Sequence, residues 1–186
     1  WGAVGGGLTN YMSYGDLPTH GYADVARYKF PRGVIMGRNL NQVLPIDGKD
    51  AREIQESIAH SWYEYSGGDS VAMHPWDGET TLNYTGPKPP YEQLDVDGGY
   101  SWLKSPRWRG KAVEVGPLAR LAMLYARGHE PTRALADQAL ATLDLPLTAI
   151  FSTLGRTAAR AIESAAAQLA ALPRDLAGRR LDVSLR

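Results

Sequence analysis

Pro117-Leu118-Ala119-Arg120-Leu121-Ala122-Met123-Leu124-Tyr125-Ala126-Arg127-Gly128 carries its own start and stop signals. Pro117 suits a first helical position, where its missing N–H leaves no bond unmade and its fixed φ is already helical. Leu118, Leu121, Ala122 and Tyr125 recur at the three- and four-residue steps of one helix face, and Gly128 supplies a left-handed stop. The punctuation repeats downstream. Pro131 opens a second helix with Leu135, Ala139 and Leu143 inward, and Pro146 opens a third. In the third, Phe151, Leu154, Ala158, Ile162, Ala165 and Leu169 keep a helical period until Pro173. Links this short predict antiparallel neighbours, a bundle segment over residues 117–172. Its many alanines predict close helix approach, extending to helices outside this chain.

Upstream the composition changes. All five tryptophans lie at or before Trp108, and 15 of the 20 glycines lie in residues 1–99. Residues 1–116 therefore read as a region of hairpin, helix and aromatic loops. Residues 30–37 and 41–46 predict two short strands around a polar turn, confined to edges by Pro31 and Pro45. Asp50 can cap a helix running to about Tyr65, because Ile54, Ile58 and Trp62 recur every four residues and Tyr65 continues the face. Residues 66–100, dense in Gly, Pro and Asp, predict a long ordered loop or a set of turns. The fold class expected is α+β, mainly α.

The chain has 186 residues, and its 20 Lys/Arg balance 20 Asp/Glu. A generic basic nucleic-acid footprint is not expected. The balance hides an asymmetry: residues 1–100 carry 7 basic and 13 acidic side chains, residues 101–186 carry 13 and 7. Cysteine is absent, so no disulfide, thiolate nucleophile, iron–sulfur cluster or Cys-ligated metal can be built from this chain alone. No run of 18 apolar residues can span a membrane. Trp1 to Thr9 lack the basic start and apolar core of a signal peptide, and with no initiating Met the chain reads as an excised or processed segment.

Few residues point to chemistry individually. Gly5-Gly6-Gly7 is followed by neither a dinucleotide fingerprint nor a Lys-Ser/Thr ending. His20, His60, His74 and His129 include no helical zinc spacing, and each suits a packing or capping role. His74, in Met73-His74-Pro75-Trp76-Asp77-Gly78, is the best functional candidate among them. In Ser101-Trp102-Leu103-Lys104-Ser105-Pro106-Arg107-Trp108-Arg109-Gly110, cations interleave with tryptophans. That pattern could stack on bases or sugars, or place Lys104 and Arg107 as buried cations beside carboxylates of the acidic first half. Glu114 precedes a helix start, where the dipole favours a carboxylate. Ser66, Ser70 and Ser105 have no evident nearby base. A carboxylate pair for glycoside hydrolysis is invisible to spacing along the chain, and the aromatic loops leave a sugar-binding module open.

Six segments read together say more. Residues 6–16 (Gly-Gly-Leu-Thr-Asn-Tyr-Met-Ser-Tyr-Gly-Asp), His60-Ser61-Trp62-Tyr63, His74-Pro75-Trp76-Asp77-Gly78, Tyr100 to Arg107, Glu114 to Arg120, and Phe151 to Arg160 occur in this order. The set resembles the large subunit of a nickel–iron hydrogenase of the membrane-associated uptake type, over roughly residues 5–165. The resemblance implies reversible interconversion of H2 with protons and electrons at a buried Ni–Fe centre. It also implies a partner small subunit with iron–sulfur clusters, magnesium near the active site, and a place at the periplasmic face of a membrane. In that family two Cys-x-x-Cys pairs, one near each end of the subunit, hold the metals; this sequence has neither.

On matched positions, Lys104 resembles the family lysine that supports the water network around a magnesium or similar ion, with a plain buried ion pair as the other reading. Glu114 and Arg120 resemble residues that brace the core beneath the centre, and His74 and Arg107 complete the set of supporting candidates. No catalytic and no metal-ligating residue is expected in this chain. After about Ala165 the sequence departs from the family, and residues 173–186 read as a divergent tail left by truncation, frameshift or an artificial end. The expectation is a segment of a hydrogen-oxidising large subunit. Alone it binds no Ni–Fe centre, and its partners are the rest of that subunit and the small subunit, not nucleic acid. The alternative is a non-catalytic scaffold derived from the same fold.

Overall fold

A computed structural model gives the chain's structure and describes residues 7–18, 28–68, 71–84 and 99–171. His20 and the tail 173–186 lie outside the described residues. The elements are β1 (Tyr11–Ser13), β2 (Asp16–Pro18), β3 (Tyr28–Phe30), β4 (Gly33–Ile35), β5 (Ile54–Ser57), β6 (Tyr63–Glu64), β7 (Thr81–Leu82), β8 (Ser105–Trp108) and β9 (Lys111–Ala112), then α1 (Pro117–Ala126), α2 (Glu130–Thr142), a 3₁₀ turn Leu147–Phe151 and α3 (Thr153–Ala171). The class is α+β, with helices gathered at the C-terminal end and small antiparallel sheets before them.

The β1–β4 ribbon organises the core. Its register pairs Tyr11 with Ile35 and Met12 with Val34, and successive side chains of a strand point to opposite faces. Tyr11 and Ile35 therefore meet Leu118, Ala122, Met123, Ile150 and Phe151 on one side. Met12 and Val34 meet Ile46, Ile54, Trp108 and Val113 on the other. A two-stranded ribbon is marginal alone; here both faces are covered. α1 lies between the ribbon and α3, which is why Leu118, Ala119, Leu121, Ala122, Met123 and Leu124 are all buried rather than a single stripe.

The helix punctuation at 117, 128 and 131 holds. Pro117 opens α1 after Gly116, whose φ of 110° excludes a side chain. Gly128, at φ 77°, closes it by donating to Tyr125 O at 3.1 Å. α2 turns a different face inward from the one expected. Thr132 and Ala136 are buried and Leu140 packs on the core in line with them, while Leu143 is exposed. Pro146 opens a 3₁₀ turn rather than the third helix. The chain breaks at Ser152, whose Oγ accepts from Gly155 N at 3.1 Å and caps α3.

Two upstream expectations are corrected. β4 takes β1 as its ladder partner, and the expected hairpin with residues 41–46 survives only as one antiparallel bridge, Val34 to Leu44. The helix from Asp50 to Tyr65 is absent. Asp50 caps one turn through Arg52 N at 2.8 Å, after which β5 pairs with β8, Ile54 opposite Trp108. Only Ile54 of the predicted face lies in a strand; Ile58, Trp62 and Tyr65 follow outside the strands, yet all four are buried as anticipated. Within residues 66–100, β7 pairs with β6 and Met73 bridges to Glu56.

Candidate functional site

Two polar clusters collect the candidate residues. The first surrounds Lys104, which immediately precedes β8. Its Nζ donates to Glu79 O at 3.2 Å and Thr80 Oγ1 at 3.1 Å. Glu56 of β5 approaches it at 4.0 Å, and 14 % of the Lys104 side chain is exposed. The ammonium also lies 5.5 Å from the Tyr63 ring centroid and 5.3 Å from that of Tyr65. The Tyr65 hydroxyl is buried without a hydrogen-bond partner. Burial pushes its ionisation above the ordinary tyrosine range, and the Glu56 charge adds to this.

His74 holds the loop that delivers two of those contacts. It is buried; its Nδ1 accepts from Trp76 N at 3.1 Å, and its Nε2 lies 3.1 Å from Gly48 O. A ring nitrogen that accepts a backbone N–H carries no proton, so Nε2 is the donor to Gly48. The His74 carbonyl accepts from both Asp77 N and Gly78 N at 2.9 Å. The tight turn that results carries Gly78, Glu79 and Thr80 to Lys104. His74 is thus an anchor, and the structure brings it and Lys104 onto one assembly.

The second cluster ties α3 to the start of α1. Glu114 is joined by its backbone to β1, accepting from Met12 N and donating to Asn10 O, both at 2.8 Å. Its carboxylate receives both prongs of Arg156, Nε at 2.7 Å and Nη2 at 2.5 Å. That hydrogen bonding raises the Arg156 ionisation further. Two turns along α3, Glu163 accepts a forked pair from Arg120 of α1, with Nη2 at 3.0 Å. Forked guanidinium–carboxylate pairs fix direction as well as distance. Glu114 is an ion-pair partner of α3, in addition to sitting near a helix start.

Arg107 joins neither cluster: on β8 opposite Gln55, it donates to Pro106 O at 3.1 Å. The expected carboxylate for it is not among its described contacts. His60 stacks on Tyr100, with centroids 5.3 Å apart, and His129 Nδ1 lies 2.8 Å from Thr132 Oγ1 at the start of α2. The sequence reading missed Glu56, Tyr63, Tyr65, Thr80, Arg156 and Glu163 as members of these clusters. Arg156 and Tyr63 lie in segments that carry the family resemblance, and Tyr65 on the predicted buried face; no local pattern marked the other three.

Among the described residues no group of three or more His, Asp or Glu side chains could hold a metal ion, and the sequence contains no cysteine. The described residues do not fit a thiolate-held metal centre. No helix of the described residues is long and apolar enough to cross a membrane.

The fold and its two clusters make an α+β segment: a strand ribbon and helices joined by forked ion pairs, with the Lys104 ammonium seated on an ordered loop. The nickel-dependent hydrogenase family matches residues 1–175, and the chain belongs to that family. It is 49 % identical over 170 residues to the uptake hydrogenase large subunit of Rhizobium leguminosarum bv. viciae, covering 86 % of this chain and 28 % of that protein. It is 39 % identical over 177 residues to the hydrogenase-1 large chain of Escherichia coli K12, covering 88 % and 29 %. Among solved structures, the reduced Ni-Fe-Se hydrogenase of D. vulgaris Hildenborough superposes with a TM-score of 0.58 at 26 % identity, covering 88 % of this chain and 31 % of that one. The chain spans less than a third of the length of the relatives it matches. The family match runs past Ala165 to residue 175.

Proposed function

We propose that the chain works as a segment of a hydrogenase large subunit whose complete form oxidises H2 to protons and electrons. The electrons pass to a small subunit carrying iron–sulfur clusters, at the periplasmic face of a membrane. What carries this reading is the 49 % identity to an uptake hydrogenase large subunit over 86 % of the chain. The nickel–iron centre is held by residues other than these, and the 186 residues alone turn over no hydrogen. Their part is positional. Glu114 with Arg156 and Arg120 with Glu163 hold α3 against α1 and β1, giving a rigid wall. Lys104, seated by Glu79, Thr80 and Glu56, keeps a cation fixed beside the rest of the subunit, where it orders water around a magnesium or similar ion.

A chimaera tests it: this chain replaces the matching stretch of the Rhizobium leguminosarum large subunit. Nickel loading with hydrogen uptake is expected, while Lys104→Ala keeps the nickel and loses most uptake. A nickel-loaded chimaera that takes up no hydrogen overturns the reading of the segment. Full uptake in Lys104→Ala removes the lysine from it.

A further inference from the structure

Of the three N–H bonds on the Lys104 ammonium, two are used, on Glu79 O and Thr80 Oγ1. Glu56, at 4.0 Å, stands beyond direct hydrogen-bond reach. A largely buried ammonium with one weak carboxylate neighbour needs another source of electrostatic stabilisation. Two ring faces supply it: Tyr63 and Tyr65 sit two residues apart, with centroids 5.5 and 5.3 Å from Nζ, inside the range where an aromatic quadrupole attracts a cation.

The rings are themselves fixed. Tyr63 donates its hydroxyl to Trp102 O at 3.0 Å. Tyr65 is 4 % exposed, and its hydroxyl lies against Gly78, where an added Cβ would stand 2.9 Å from it. Gly78 belongs to the turn that His74 anchors and that leads into Glu79 and Thr80. One loop therefore seats both the ring and the two hydrogen-bond acceptors.

We propose that Tyr63 and Tyr65 are positioning residues that clamp the charged Lys104 ammonium between two aromatic faces and aim its remaining N–H toward Glu56. The clamp rests on the reading of Lys104 as a supporting residue for the reaction, yet it is measurable without the reaction. Tyr65→Phe keeps the face and discards the unpartnered hydroxyl; Tyr65→Leu and Tyr63→Leu discard a face.

The test is reductive methylation of the assembled chimaeric enzyme, read lysine by lysine by mass spectrometry, with exposed Lys49 and Lys111 as internal controls. In the parent and in Tyr65→Phe, Lys104 is protected. In either leucine variant it reacts about tenfold faster, the controls unchanged. The same leucine variants shift the pH profile of hydrogen uptake, and Tyr65→Phe restores it. Equal Lys104 protection in all four proteins overturns the clamp, as does exposure in Tyr65→Phe matching Tyr65→Leu. If Lys49 and Lys111 accelerate together with Lys104, the rings act by general packing and the clamp is likewise overturned. The expected contrast in Lys104 reactivity between the leucine variants and the other two proteins, with no hydrogen uptake in the parent chimaera, leaves the clamp standing and sinks the functional reading instead.

Discussion

Tyr11 is fully buried under α1 and the 3₁₀ turn, its ring 5.0 Å from that of Phe151 and its hydroxyl donating to Leu8 O at 2.9 Å. Burial, with the Glu114 charge next in size, pushes its ionisation above the ordinary value of 10.0. An acid whose folded pKa is raised contributes stability below the unfolded pKa and loses it as pH rises. Wild type should therefore lose stability above pH ~10 as the buried phenol is forced to ionise. Tyr11→Phe should cost about 1 kcal/mol at neutral pH, for the hydroxyl bond, and then fall less steeply in alkali. Urea unfolding at neutral and alkaline pH checks this; parallel decline of the two proteins would refute it. Gly155 is a second residue under constraint, because a Cβ there runs into the Ile150 backbone carbonyl. Gly155→Ala should destabilise by about 1–3 kcal/mol, the usual cost of overpacking, seen as a lower melting temperature.

At the scale of elements, α3 is held to its neighbours by packing and by the pairs Arg156–Glu114 and Arg120–Glu163. The four side chains are 17 to 28 % exposed, so desolvation is incomplete and the full penalty of a deeply buried orphan charge does not apply. Glu114→Gln and Arg156→Met should each cost about 1–3 kcal/mol, and the double variant less than their sum. A double-mutant cycle by denaturant unfolding measures the coupling; strict additivity would mean the fork carries no energy. These pairs also mark what the sequence could disclose. Pro117, Gly128 and Pro131 announced helix boundaries because their local chemistry acts within one turn. Ile54, Ile58 and Trp62 announced burial but not its form: Ile54 is buried from β5, while Ile58 and Trp62 lie on either side of the turn that follows it. What decided for strand was β8, some fifty residues away, and no local pattern encodes that pairing. The Lys104 assembly was hidden for the same reason. Lys104 was legible as a candidate, while Glu56, Tyr65 and Thr80 reach it only through the β5–β8 register and the turn set by His74.

The whole molecule joins an acidic half to a basic one, and among the described residues the halves exchange charge at one seam. Glu53 takes Arg109 at one end of the β5–β8 pairing, and Glu56 faces Lys104 near the other. The same seam closes the second core cluster through Ile54 and Trp108. The hydrogen-bonded Arg109 guanidinium holds the Glu53 carboxyl below the usual carboxylate range. A carboxyl with a depressed folded pKa contributes stability that is complete above its unfolded pKa of about 4 and is lost as pH falls through the folded value. Arg109 is 60 % exposed, so solvent screening limits this pair to under about 1 kcal/mol. The helices, held by Tyr11, Leu118, Met123 and Phe151, have no such dependence on Glu53. Acid should therefore loosen the contact between β5 and β8 as Glu53 protonates. Comparing wild type with Arg109→Ala by urea midpoint at pH 7 and pH 3 (on the order of one unit below that unfolded value) isolates the seam. Wild type should be the more stable at neutral pH, and the gap should close in acid. A gap that persists undiminished at the lower pH would show that Arg109 acts by packing on Trp108, over whose ring its guanidinium lies at 4.8 Å, and not through Glu53.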